Sequence, residues 1–326
     1  MTTASPAQTD TQAPRQNDIT VVARGLVKRY GDLVAVDELD LEARAGQCLG
    51  VLGPNGAGKT TTIEMLEGLK KPDSGTIEVL GHTWDNNPRS IQEHIGVQLQ
   101  ETDFQDKLTV FEMLRLFQSF YSNTRTIDEV IETIGLQEKR NDYAKTLSGG
   151  QRQRLSIGCA LINKPKILFL DEPTTGLDPQ ARRRLWEIVE SFKSEGGTVI
   201  LTTHYMEEAE ILADDLLIVD HGKAIARGTP PSIIATLHVE NVVRFSVQGH
   251  EARILSEQEL QRLEGVHEVR YDGTSVVLSV VSTQEVISGL FAMMDERSLV
   301  LEDLRTHRPT LEDVFVSMTG KHLRDG

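Results

Sequence analysis

Nine consecutive residues carry the clearest chemistry in the sequence: Gly53, Pro54, Asn55, Gly56, Ala57, Gly58, Lys59, Thr60 and Thr61. They read G-x-x-x-x-G-K-T, a loop whose glycines let successive backbone N–H groups turn inward on a polyphosphate. An apolar run, Cys48-Leu49-Gly50-Val51-Leu52, leads in as a strand. A helical pattern, Thr61-Thr62-Ile63-Glu64-Met65-Leu66-Glu67, leads out. The new helix adds the positive end of its dipole to the loop. There Lys59 would reach the β- and γ-phosphates, and the Thr60 hydroxyl would hold Mg²⁺. A plain glycine-rich turn has no structural need for Lys-Thr at the helix start.

Further groups share this chemistry. Asp171 and Glu172 follow the wholly apolar run Ile167-Leu168-Phe169-Leu170. Such a run reads as a buried parallel strand, and ligands of open α/β sheets lie beyond strand carboxyl ends. Two adjacent carboxylates beside a core are costly unless a cation shares the site, so the pair can serve Mg²⁺ and a water. His204 ends another strand, Thr198 to Thr202, level with Asp171. Leu147-Ser148-Gly149-Gly150-Gln151 opens a helix with Ser148 at its N-cap. That stretch reads either as a simple cap or as a second phosphate-binding helix terminus. Tyr30 could present its ring to a flat base or simply pack a strand.

The elements that position these groups follow from the pattern. Ile19 to Val22 and Leu33 to Leu41 read as strands, and Thr76 to Leu80 and Ile95 to Leu99 as two more. From Thr109 the spacing turns helical through Val110, Met113, Leu114, Phe117, Phe120 and Tyr121, either helical core or a docking surface. A second helix covers Ile127 to Ile134. Residues 101 to about 150 thus form a helical insertion. Gln180 onward is a helix whose Arg182, Arg183 and Arg184 read as its wet face. Beyond residue 238 the order is β-α-β-β-α-β, the split ferredoxin-like arrangement, with a hairpin turn at Asp272-Gly273 and a terminal helix over 309–319.

Composition sets bounds. The 326 residues suggest two domains. The net charge of −15 argues against a nucleic-acid binder, which needs basic surface. No apolar run approaches the roughly 18 residues of a membrane helix, so any membrane span must come from another chain. Residues 1–18 read as a disordered tail and not as a signal peptide. Cys48 and Cys159 read as buried free thiols.

In order and spacing the motifs resemble those of the ATP-binding subunits of ABC transporters. Gly53–Thr60 matches the Walker A motif, Leu147–Gln151 is an unaltered LSGGQ signature, and Ile167–Glu172 matches Walker B. Gln100 stands at the Q-loop position, Gly176-Leu177-Asp178 resembles the D-loop, and His204 the switch histidine. The resemblance covers residues 19 to about 237. It implies an α/β P-loop fold with an antiparallel β subdomain and a helical subdomain, followed by a small C-terminal ferredoxin-like domain at 238–326.

It also implies a mechanism. Two such chains pair head to tail, and each ATP on one Gly53–Thr61 loop is closed by Leu147, Ser148, Gly149, Gly150 and Gln151 of the other. Thr60, Gln100 and Asp171 serve Mg²⁺. Glu172 is the general base, with Lys59, Gln100 and His204 completing the catalytic set. Asp178 bridges the dimer, and Tyr30 stacks on adenine. The helical insertion docks a separate membrane permease, so the chain is expected at the cytoplasmic face of the membrane. The tail Pro309-Thr310-Leu311-Glu312-Asp313-Val314-Phe315 resembles that of daunorubicin and multidrug-resistance type exporters. An importer ATPase with a C-terminal sensing domain and a non-transport ATPase of the same class are the competing expectations.

Overall fold

Cys48–Leu52 has only apolar residues and glycine, and all five are buried, because neighbouring strands flank it and layers cover both its faces. The computed structural model describes residues 19–98, 104 and 107–319. The chain divides into two units between Ala224 and Ile225. The sequence pattern changes only near 238, because the intervening residues are the end of a strand, Lys223–Gly228, and a short helix, Pro230–Ile234, neither of which carries a long apolar repeat.

In chain order the first unit contains β1 (Ile19–Tyr30), β2 (Leu33–Arg44), β3 (Cys48–Leu52), α1 (Lys59–Leu66), β4 (Ser74–Val79), α2 (Pro88–Gln92) and β5 (Ile95–Gln98). Then come α3 (Val110–Gln118), α4 (Ile127–Thr133), α5 (Gly149–Leu161), β6 (Ile167–Asp171), α6 (Pro179–Ser194), β7 (Thr198–Thr203), α7 (Met206–Leu212) and β8 (Asp215–Asp220); β9 (Lys223–Gly228) begins in this unit and ends in the second. The central sheet has six strands in the order β5-β6-β7-β3-β8-β9. From β5 to β8 the pairings are parallel. That brings the carboxyl ends of β3, β6 and β7 together at one edge.

Two cores sandwich this sheet, and the two-residue period of a strand sorts side chains between them. Ile167 and Phe169 of β6 join Leu49, Val51, Ile63 and Met65 under the antiparallel sheet β2-β1-β4. Leu168 and Leu170 face the other way, onto Leu155, Leu185 and Val189 of the helical layer. Cys48 and Cys159 are free and buried in that second core. The first strand runs well past Val22, because Gly25 takes φ 56 and the register shifts across Ala23 and Leu26, letting pairing resume.

The helices between β5 and β6 start on side-chain caps. Thr109 with Glu112, Thr126 with Glu129, and Ser148 with Gln151 each form a reciprocal capping box. Each satisfies two backbone donors that a helix start otherwise leaves open. Along α3 and its exit, Val110, Met113 and Leu114 are buried, whereas Phe120 is 66% exposed. The aromatic stripe is therefore core at one end and surface at the other.

The second unit holds α8 (Pro230–Ile234), β10 (Asn241–Val247), α9 (Glu257–Leu260), β11 (Val266–Asp272), β12 (Ser275–Val280), α10 (Thr283–Arg297), β13 (Leu301–His307) and α11 (Leu311–Thr319). Its four strands lie in the order β11-β12-β10-β13, and every neighbouring pair is antiparallel. Val243, Phe245, Leu278, Val286 and Leu290 form its core.

Candidate functional site

The loop after β3 owes its path to three glycines. A Cβ on Gly53 would lie 2.3 Å from the Val219 carbonyl oxygen, and one on Gly58 would lie 2.2 Å from that of Ala35. Gly58 also sits at φ 100 as the N-cap of α1, a conformation costly for any residue with a Cβ. Gly56 has φ 79 and open space around it. No side chain caps α1, so its first N–H groups stay available to a ligand. The turn between β8 and β9 braces the loop: Gly222 N donates to Ala57 O at 3.0 Å. Asn55 and Gly56 are exposed, Pro54 half-buried and Ala57 buried.

Five chemistry-bearing side chains converge beyond the strand ends. Lys59 is 4% exposed. Its Nζ lies 3.1 Å from Glu172 Oε1 and donates to Pro54 O at 3.0 Å. Thr60 Oγ1 donates to Asp171 Oδ1 at 3.3 Å. His204 Nδ1 lies 3.1 Å from Glu172 Oε2, and Thr175 Oγ1 donates to the same oxygen at 3.2 Å. Thr202 donates a short hydrogen bond to Asp171 Oδ1 and accepts one from Glu172 N at 3.0 Å. The backbone of Glu172 turns left-handed, φ 46, as the chain leaves β6.

The two adjacent carboxylates are electrostatically unlike. Burial pushes Asp171 up from the usual range; hydrogen bonds from Thr202 and Thr60 oppose this, and Glu172 adds to it. Glu172 goes down, to about 2, chiefly through its hydrogen bond with His204, against burial and with help from Lys59. One end of the pair therefore stays ionised, while the other gains from a cation. Thr60 and Asp171 offer two hard oxygens of the kind Mg²⁺ takes alongside water and phosphate. Among the described residues no group of three or more His, Cys, Asp or Glu is arranged to hold a metal by itself.

The other expected residues lie elsewhere on the first unit. Ser148 caps α5: its Oγ accepts from Gln151 N at 3.3 Å, and its N donates to Gln151 Oε1 at 2.9 Å. Ser148 and Gly149 are exposed, and Leu147 is buried beneath them. Gly150 permits close approach of α6, since a Cβ there would meet the Ala181 Cβ at 2.8 Å. Asp178 is the N-cap of α6, accepting from Gln180 N and Ala181 N, both at 2.9 Å. Ser148, Gly150, Gln151, Arg154, Asp178 and Arg184 line one open cleft of about 810 Å³. Tyr30 ends β1 at 43% exposure, with Lys70 Nζ 5.3 Å and Lys28 Nζ 6.0 Å from its ring centroid. Thr61 is half-buried in the first turn of α1. Gln100 lies outside the described residues.

Sequence reading missed Thr202 and Thr175. Their signal was weak: threonines in or beside strands are common, and only the parallel register Asp171↔Thr202 brings Thr202 to the carboxylate. It also missed Arg182, read as wet face, whose guanidinium lies 4.7 Å from the Tyr205 ring centroid. Tyr205 takes up that face of the helix as the chain turns after β7.

The chain resembles known proteins along nearly its whole length. The family model described as ABC transporter matches residues 36–175. A model described as an AAA domain, putative AbiEii toxin, Type IV TA system, matches residues 143–208. The Nod factor export ATP-binding protein I of Cupriavidus metallidurans is 40% identical over 308 residues, covering 93% of this chain and 98% of that protein. The linearmycin resistance ATP-binding protein of Bacillus subtilis is 36% identical, covering 93% and 99%. The daunorubicin/doxorubicin resistance ATP-binding protein of Streptomyces peucetius is 38% identical, covering 91% of each. A solved ATP binding subunit of an ABC transporter superposes with a TM-score of 0.62 at 26% identity, over 67% of this chain and 93% of the other. Near-full-length identity at this level leaves one assignment: the chain belongs to the ABC transporter family, as one of its ATP-binding, ATP-hydrolysing subunits.

Proposed function

We propose that this chain powers an exporter whose membrane permease is a separate chain, through an ATP-driven cycle of dimer closure and reopening. The observation that carries the hydrolytic part is the convergence of Lys59, Thr60, Asp171, Glu172 and His204 at one edge of the sheet. Glu172, held ionised, takes the proton of the attacking water. Lys59 neutralises the β- and γ-phosphates. His204 orients Glu172 and meets the γ-phosphate. Thr60, Asp171 and Gln100 would hold Mg²⁺, which when bound draws charge from the phosphates. Gly53, Pro54, Asn55, Gly56, Ala57, Gly58 and Thr61 cradle the phosphates, and Tyr30 stacks on adenine.

Leu147, Ser148, Gly149, Gly150 and Gln151 close the ATP of a second copy, and Asp178 bridges the pair. The open cleft that holds both Ser148 and Asp178 supports this reading. So does the likeness in fold to a dimeric bacterial ABC transporter cassette (24% identity, TM-score 0.59). No described helix is long and apolar enough to cross a membrane, which fits attachment to the cytoplasmic face through a permease. Export over import is supported by the names of the relatives, which speak of export and resistance. The C-terminal unit is proposed as a ferredoxin-like accessory domain at 238–326, on its strand order and all-antiparallel pairing.

Glu172→Gln tests the base. It is expected to slow hydrolysis by about 100-fold or more and to leave a stable dimer with Mg-ATP on a sizing column. A monomer hydrolysing at the parent rate places the base elsewhere. Export is tested in cells carrying the chain with the permease that co-purifies with it. They should retain less of an amphipathic antibiotic than cells carrying the Glu172→Gln chain, and equal retention with hydrolysis intact overturns export.

A further inference from the structure

Two contacts tie α6 to the segment that follows β7. Arg182 lies over the ring of Tyr205. One turn later, Trp186 Nε1 donates to Glu208 Oε1 at 3.0 Å. Positions four apart share a helix face, so these are successive rungs against Tyr205, the N-cap of α7, and Glu208 within it. Glu208 is 0% exposed. A carboxylate is expensive there unless polar partners repay it, and α7 already buries Ala209 and Leu212. Packing alone does not call for it.

The surroundings of Glu208 say what it does. Burial pushes its carboxyl up, and the Thr203, Trp186 and Thr174 side chains and Arg182 counter that; Thr174 Oγ1 itself has no hydrogen-bond partner among the described residues. No described group meets Glu208 Oε2 in full hydrogen-bonding geometry. Thr203 immediately precedes His204, and its hydroxyl also accepts from Tyr205 N at 2.9 Å. Thr174 stands two residues after Glu172. One buried carboxylate thus stands just behind the segment that presents His204. Through Trp186 it is fastened to the helix that Asp178 caps.

We propose that Glu208 and Trp186 are positioning residues for hydrolysis: they lock the His204 segment to α6, so a displacement at Asp178 moves His204 against Glu172. Neither touches ATP. The inference rests on the roles proposed above for His204 and Asp178.

The purified full chain tests it. Trp186→Phe keeps the packing and removes the donor. It should lower kcat about tenfold and leave KM for ATP within about twofold, because the Lys59 loop is untouched. Glu208→Gln keeps an acceptor for Trp186 and should restore most of the rate that Glu208→Leu loses. A purely structural role would instead lower Tm and leave kcat per folded molecule intact. A second measurement does not break the brace. The chain has two tryptophans, so Trp84→Phe leaves Trp186 as the sole emitter. In a Glu172→Gln background, Mg-ATP should shift its emission, and Asp178→Ala should abolish the shift. No shift, or Trp186→Phe hydrolysing within twofold of its parent, overturns the brace. His204→Ala separates the two ideas. If it is inactive while Trp186→Phe is normal, only the brace falls. If His204→Ala itself is fully active, the site reading falls with it.

Discussion

At Glu67 burial overrides ordinary carboxylate behaviour. The side chain is 4% exposed, and neither oxygen has a hydrogen-bond partner among the described residues. Burial, then the charges of Asp171 and Glu64, push it up to about 8. The unfolded chain releases this proton near 4.5, so the folded state binds the proton that the unfolded one loses. Stability is therefore full below about pH 4.5 and falls as pH rises through about 8. Glu67→Gln should gain on the order of 1–4 kcal/mol over its parent at pH 9 and nothing at pH 4. Melting curves at the two pH values check this, and equal shifts at both would refute it. Glu172 has the opposite sign. Its contribution is present above about pH 4.5 and is lost as pH falls through about 2. Gly58→Ala is expected to weaken nucleotide binding at least about tenfold, because its Cβ meets the Ala35 carbonyl in a left-handed backbone. Titration with a fluorescent ATP analogue reads this directly. Lys59, Asp171, Glu172 and His204 were legible in the sequence because each stands beside a strand or helix end. Glu67 was not, because its environment comes from residues remote in sequence.

Elements were legible where a period ran long. The runs Cys48–Leu52 and Ile167–Leu170 are buried on both faces, and a strand made only of apolar residues announces that. The first strand extends beyond Val22, since the register shift at Gly25 interrupts the apolar alternation without ending the pairing. The first helix of the β-α-β-β-α-β order is short, only Glu257–Leu260, since the chain turns at once into Gly265 and β11. Ser148 shows how one element carries two requirements. Ser148→Ala removes the cap of α5 and should cost about 1 kcal/mol. Ser148→Asp keeps a capping oxygen but puts a negative charge where a phosphate is proposed to dock. It should melt near the parent temperature yet fail to form the ATP-stabilised dimer on a sizing column. A dimer from the Asp variant would move the trans contact away from this helix.

For the whole molecule, the described residues of the proposed ATP site lie between Tyr30 and His204, within the first unit. The six-stranded sheet closes with β9 at Gly228, and α8 packs on α11 in the second unit. A chain ending at Gly228 should therefore bind ATP with a Kd within about threefold of the full chain. Loss of binding would show that the second unit supports the site. The burial of Cys48 and Cys159 bears on how such molecules can be watched. Burial holds both thiols well above their ordinary titration range, and neither is open to solvent. Thiolates are the reactive form, so the folded chain should ignore maleimides. A single cysteine placed on the surface then becomes the only address for a dye, and paired dyes on two copies could time the closing of the dimer without first stripping the native sulfurs.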